Sequence, residues 1–360
     1  MTPCTILHHK MDETNEFLLC DEVWDMGLVA VLDSINDHHA RQENDCVDHK
    51  LIHATTNEDC HHTFQTYLNK EIKYMTRPGY INFLESNHFL STFRFKAIQW
   101  FIHSQRRLSF GIQSLFNAVN YVDRFIDINQ CHGWSHWMME LLSLASLSIA
   151  IKFGETGPHT LHEIQEGLEY CFEAKLIEKM EYKILESLKW DIYPTTPQSF
   201  VELVTWKLGS VMKPFAADAF TSSLNKLLLA SSLEGKMLGY QPSVIFYSGV
   251  ACVLEDLYPS SHQEYYPHIA SFFLPAADEQ YIQVSLSCFE MMQQVWSTSS
   301  KPHSNWDPSS PDTVLTKEQV AIYEDQVDLS FIHGPDMNKK LKRKRKDDYN
   351  VMNKHKKCVH

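Results

Sequence analysis

The segment from Trp137 to Phe153 reads Trp-Met-Met-Glu-Leu-Leu-Ser-Leu-Ala-Ser-Leu-Ser-Ile-Ala-Ile-Lys-Phe, apolar or small on nearly every side. A helix without a charged face has to be covered all round, so this segment predicts a central helix with further elements wrapped about it. The flanking sequence supplies them. Residues 92–104 place Phe93, Ala97, Ile98, Trp100 and Phe101 at helical spacing. Residues 110–126 line up Ile112, Leu115, Phe116, Val119, Val122 and Ile126 in steps of three and four. Thr160 and Glu163 have the spacing of a capping box ahead of Ile164 and Leu168. Residues 174–188 put Ile177, Met180, Ile184 and Leu188 on one face. Five helices with short links and no strand signal are expected.

Pro194 and Pro197 follow in Trp190-Asp191-Ile192-Tyr193-Pro194-Thr195-Thr196-Pro197, and each disfavours helix just before it. Beyond this linker the scheme repeats, with helical segments at about 198–208, 216–233, 243–256, 261–272 and 279–296, and Pro242 stands where a first helical position tolerates it. The expected fold is therefore all-α: two five-helix units in tandem, 66–193 and 194–296, between a disordered acidic arm over 1–65 and a disordered tail over 297–360. Only 12 glycines in 360 residues argue against a nucleotide-binding α/β fold, which spends them on tight turns. No stretch reaches the ~18 uninterrupted apolar residues of a membrane span. The first residues lack the charged-then-apolar layout of a secretory signal.

Charge divides the chain. Asn338–His360 hold ten Lys and Arg against two Asp, while the other 337 residues hold 22 basic and 43 acidic, a net of −21. Such a body repels phosphate backbones, so no nucleic-acid partner is expected for it. Nine scattered cysteines fit a reduced chain better than a disulfide framework. Cys46-x-x-His49 and Cys60-His61-His62 fit no common zinc spacing, and no metal is assigned. No phosphate loop, nucleophile elbow or metal triad is visible, so neither catalysis nor a cofactor is expected.

Several motifs carry a resemblance. Arg94-x-x-Ala97-Ile98-x-Trp100, Tyr121-Val122-Asp123-Arg124-Phe125, Leu147-Ser148-Ile149-Ala150-Ile151-Lys152, Met180-Glu181, Leu188-Lys189-Trp190 and Tyr240-x-Pro242-Ser243-x-Ile245 occur in that order. With them, residues 66–296 resemble a cyclin of the plant D type, with two cyclin-box folds. The resemblance implies an internal ion pair between Arg94 and Asp123. It also implies contacts from Lys152 and Glu181, with Phe153 and Glu155 beside them, to the backbone near a kinase's regulatory helix. Read without it, Lys152 is a lysine offsetting a helix dipole and Glu181 a solvated glutamate. Two departures stand out. Cyclins often carry two acids just after the lysine, and Phe153-Gly154-Glu155 supplies one. Lys96 replaces an aliphatic residue in the substrate-docking patch and would repel an Arg-bearing peptide, leaving Trp100 as the docking candidate.

Leu18-Leu19-Cys20-Asp21-Glu22 fits L-x-C-x-E. The resemblance implies a retinoblastoma-type pocket protein there, with Leu18 and Cys20 filling pockets and Glu22 held by backbone donors. Lys339, Lys340, Lys342, Arg343, Lys344, Arg345 and Lys346 form a basic run that reads as a nuclear-import signal or a nucleic-acid patch. Import, and so a nuclear address, is favoured because no aromatic residues interleave the run. Ser310-Pro311 is a candidate phosphosite in what is either a rapid-turnover tail or a plain linker. The expected function is a non-catalytic activating subunit of a cyclin-dependent serine/threonine kinase. It would promote entry into S phase by directing the kinase to a retinoblastoma-related protein. Expected partners are the kinase, the pocket protein, Kip-related kinase inhibitors and an import receptor. The rival is a general-transcription-factor-like protein that binds DNA with the same double fold, for which the acidic body is ill suited.

Overall fold

The computed structural model describes residues 57–157, 159–209, 213–259, 279–299, 319–327 and 329. The apolar segment forms α5 (His136–Gly154). Every residue from Met139 to Ile151 on it is buried. Around it stand α3 (His88–Leu108), α4 (Ile112–Asn129) and α7 (Ala174–Ser187), of which α4 and α7 pack most extensively against it, and α2 (Tyr80–Ser86) lies against α3. Their inward faces make one core, including Leu90, Phe101, Leu115, Phe125, Leu144 and Ile177. The capping box forms: Glu163 N donates to Thr160 Oγ1 at 3.2 Å, and Thr160 N donates to Glu163 Oε2 at 2.9 Å. Its helix, α6 (Leu161–Ile164), lasts one turn and stops short of Leu168. Gly167, at φ +87°, turns the chain into a short strand, β1 (Tyr170–Phe172).

The second unit has its own core around Phe200, Phe220, Leu224, Phe246, Val253 and Met292. It is built by α8 (Val201–Gly209), α9 (Pro214–Ser232), α10 (Pro242–Leu257) and α11 (Glu279–Ser299). Pro242 opens α10 at its first position, as its spacing predicts. The helix expected over 261–272 falls outside the described residues.

Three features differ from the sequence reading. Helix α1 runs Asn57–Glu71, so the arm does not extend to residue 65. Glu58 and Asp59 in its first turn suit the positive end of a helix dipole. Cys60 and Phe64, one turn apart, are buried in the second core, with Phe64 edge-on to Phe200 at 5.5 Å. The helix therefore belongs by packing to the unit that follows it by more than a hundred residues. Glu71 fixes the attachment: its carboxylate accepts from Ser243 N at 2.8 Å and Ser243 Oγ at 2.9 Å, at the start of α10. Burial pushes the Glu71 pKa up, opposed by these two bonds.

The third difference is in the tail. Strand β2 (Val320–Ile322) adds in parallel to β1, pairing Tyr170 with Val320 and Phe172 with Ile322. Gln319 Nε2 donates to Leu168 O at 3.0 Å, Glu324 N donates to Glu173 Oε2 at 3.0 Å, and Lys179 pairs with Glu324. Leu329 is buried in the first core. Residues 319–327 and Leu329 thus form a strap fastened to the first unit, within a tail expected to be disordered. A three-residue strand gives too short a period to be read from sequence. Leu329→Ala is expected to weaken the strap's docking by about 2 kcal/mol, the low end for losing a buried leucine. Amide hydrogen exchange checks it. The amides of Glu173, which donates to Ile322 O, and Val320, which donates to Glu169 O, should exchange at least ten-fold faster, while those of α5 keep their protection.

Candidate functional site

The end of α5 brings the first candidate group together. Lys152 is the last basic residue of that helix, and α7 presents Glu181 alongside. Lys152 Nζ lies 2.7 Å from both Glu181 carboxylate oxygens. The Lys152 side chain is 49% exposed and that of Glu181 11%, so the pair sits at a rim with its anion on the inner side. Glu181 is therefore not a solvated glutamate, and Lys152 does more than face a helix dipole. Exposed apolar side chains stand on the same elements: Phe153 directly after the lysine, and Tyr182 directly after the glutamate. Tyr182 meets Trp190, also exposed, edge-on at 6.4 Å. Exposed aromatic groups beside a satisfied but accessible ion pair are what a partner-binding surface requires. The aromatics supply area, and the remaining lone pairs and N–H groups of the pair set register.

Glu155, two residues beyond Phe153, also bonds to the start of α4. Its Oε1 accepts from Gly111 N at 2.9 Å and Ser114 Oγ at 2.5 Å. Gly111, the N-cap of α4, has no side chain to cap that helix, and Glu155 provides the acceptor from across the turn. Gly154 has a reason as well. A Cβ there would stand 2.5 Å from Ser114 Oγ, so a side chain at this position would require the Ser114 hydroxyl to turn away from Glu155.

Arg94 and Asp123 form the expected internal pair. Arg94 Nε donates to Asp123 Oδ1 at 2.7 Å and Nη2 to Oδ2 at 3.0 Å, with side chains only 5% and 3% exposed. Tyr80 OH donates to Asp123 Oδ1 at 3.0 Å, and Arg94 Nη1 reaches Leu233 O beyond α9 at 3.4 Å. The group ties α2, α3 and α4 to the second unit. Burial is the largest single influence on Arg94 and lowers its pKa, but the charge and hydrogen bonds of Asp123, joined by Tyr80 and Glu234, together carry the net shift upward. Burial, then the Asp123 charge, pushes the Tyr80 phenol well above its usual range.

Trp100 is buried, and its Nε1 donates to Glu166 O at 3.1 Å. It lines a cleft with Phe93, Lys96, Ala97 and Leu168, so the docking candidate is a wall of that cleft rather than a projecting contact. Cys60 packs in the second core and His61 and His62 are exposed, which separates those three side chains. Leu18, Cys20, Glu22, Ser310 and the basic residues from Lys339 to Lys346 lie outside the described residues.

Residues 62–193 match the family model of the cyclin N-terminal domain. Among similar proteins, Cyclin-D3-1 of Arabidopsis thaliana is 34% identical over 48% of this chain and 45% of its own. Cyclin-D3-2 of the same plant is 30% identical over 63% and 60%, and Cyclin-D2-2 of Oryza sativa subsp. japonica 28% identical over 79% and 76%. The chain is similar to the plant D-type cyclins. Its match to the first two spans about half of their own length. A viral cyclin from herpesvirus saimiri aligns at 14% identity with a TM-score of 0.48, over 58% of this chain and 86% of that one. The family match begins inside α1 and ends at the linker. It contains both Arg94–Asp123 and Lys152–Glu181.

Sequence reasoning missed one cluster. His136 opens α5 and Glu140 follows one turn later, both on the wall of the Trp100 cleft. Glu169, just before β1, joins them. The i, i+4 spacing of His136 and Glu140 was the available signal. Glu169 arrives only because Gly167 turns the chain back across α5.

Proposed function

We propose that this chain is the activating regulatory subunit of a cyclin-dependent serine/threonine kinase, itself without catalytic activity, and that it directs the kinase to a retinoblastoma-related protein at the G1/S transition. The observation that most supports this is the Lys152–Glu181 pair, held at 2.7 Å at the rim of a surface carrying exposed Phe153 and Tyr182. Lys152 keeps N–H groups for a partner's carbonyl, and Glu181 keeps lone pairs for a partner's amide. A subunit of this kind acts by preferring one kinase conformation. It binds better when the regulatory helix is turned inward, and so raises the population of the active form. The surface has to be preformed for that, and a pair already made in the free chain is preformed.

The second half of the proposal is delivery. Leu18, Cys20 and Glu22 would engage the pocket protein, and the basic run from Lys339 to Lys346 would be read by an import receptor that carries the chain to the nucleus. Affinity purification of the full chain from plant cells tests both halves. Wild type should recover a cyclin-dependent kinase and a pocket protein. Cys20→Gly with Glu22→Lys should lose the pocket protein by more than ten-fold and keep the kinase. The motif lies more than thirty residues before α1, so the two sites should not couple. Full pocket-protein recovery by the double variant would remove the arm from the proposal. Loss of the kinase as well would show that the arm contributes to the kinase surface.

A further inference from the structure

We propose that His136, Glu140 and Glu169 form a divalent metal site, with zinc the cation best matched to its donors. The three ligand atoms lie within 4.8 Å of one another. His136 Nδ1 is 3.7 Å from Glu140 Oε1 and 3.7 Å from Glu169 Oε2. That separation is too long for a hydrogen bond, and Nδ1, shut off from solvent, has no hydrogen-bond partner. A buried ring nitrogen facing two carboxylates across such a gap is costly to leave as it stands. A metal fits the gap. Ligand atoms 3.7 Å apart both reach an ion about 2.1 Å away at an angle of about 120°, near that of tetrahedral zinc. The Glu169 side chain is half exposed and lies at the open side of the group.

Two further features favour the assignment. The Glu140 carboxylate is held in place by backbone donors, Glu169 N and Tyr170 N, each at 3.1 Å from Oε2. This is the outer-shell support that fixes a ligating carboxylate; Oε1, which faces His136, also accepts from Glu169 N at 3.3 Å and keeps a lone pair for an ion. Zinc accepts both imidazole and carboxylate donors, three protein ligands leave it a fourth position, and here that position faces the cleft of Phe93, Ala97, Trp100 and Leu168. Magnesium and calcium prefer all-oxygen shells, and Lys96 in the same cleft opposes a purely electrostatic hold on such ions. Bound zinc would clamp the start of α5 to the segment before β1, the edge to which the strap is fastened.

The full chain holds 20 histidines and nine cysteines, so total zinc uptake says little by itself. The test compares wild type with His136→Gln and Glu169→Gln, using zinc chloride alone, and cobalt(II) as the spectroscopic probe. Wild type should take up one more equivalent than either variant, show a visible cobalt band without thiolate charge transfer, and gain thermal stability with zinc. Both variants should lose that equivalent and that band, with affinity down ten-fold or more. Glu169 is half exposed, so Glu169→Gln answers even where His136→Gln unfolds. Equal zinc uptake and equal thermal shifts in wild type and Glu169→Gln would overturn the site. So would a His136 ring resonance that stays unmoved by zinc and shifts only with pH, because the ring would then be a plain ion-pair partner.

Discussion

Asp123→Ala is expected to destabilise the protein by about 3–5 kcal/mol, the usual result of removing one partner from a buried ion pair. The substitution strands the Arg94 guanidinium, whose side chain is 5% exposed, and takes away the acceptor of the Tyr80 hydroxyl. The cost lies in the orphaned charge more than in the lost attraction, and a second variant separates the two. Arg94→Met combined with Asp123→Leu leaves no unpaired charge and should recover most of the loss. Urea unfolding followed by tryptophan fluorescence, completed as a double-mutant cycle, gives the coupling energy. A loss below about 1 kcal/mol for Asp123→Ala would place the pair with exposed salt bridges and contradict its buried position. Because Arg94 also reaches Leu233 O, the unfolding of the two units should become less coincident in Asp123→Ala than in wild type.

What the sequence made legible follows physical range. The central helix was readable because an all-round apolar segment of that length has one solution, and Met139 to Ile151 are all buried. Periodicity located α3, α4 and α7 to within a few residues, since each buries one stripe. Helix α1 was hidden because its buried stripe is narrow, set among histidines and acids, and its partner Phe200 lies more than a hundred residues away. The strap was hidden for the same reason in stronger form, as Val320–Ile322 becomes a strand only against β1. Of the site, the residues of the Lys152–Glu181 pair were marked by motif and their distance was not. The hydrogen bonds of Glu155 were not legible because they depend on a glycine N-cap at the start of another helix. The His136 cluster needed a turn at Gly167 that no local pattern announced.

The largest effect on function is expected at Lys152 and Glu181, and the structure makes the two substitutions unequal. In the free chain the pair satisfies itself, with Glu181 on the inner side and Lys152 half in solvent. Lys152→Ala leaves a nearly buried carboxylate without its counter-ion, so some stability should be lost, between the ~1 kcal/mol of an exposed pair and the 3–5 of a buried one. Glu181→Ala removes the buried charge and releases Lys152 to water, so its stability cost should be the smaller. Both should lose the proposed kinase by a similar factor, because each removes one side of a contact that is desolvated in the complex. A loss of about 2–5 kcal/mol there is roughly thirty-fold or more in affinity. Stability from urea unfolding, helix content from circular dichroism, and kinase binding and activation should be measured on the same preparations. Binding loss that tracks stability loss, large in Lys152→Ala and small in Glu181→Ala, would mean the pair only holds α5 to α7. Equal loss of activation at unequal stability is the result expected of an interface. Two folded variants that activate a kinase at wild-type concentration would overturn the assignment.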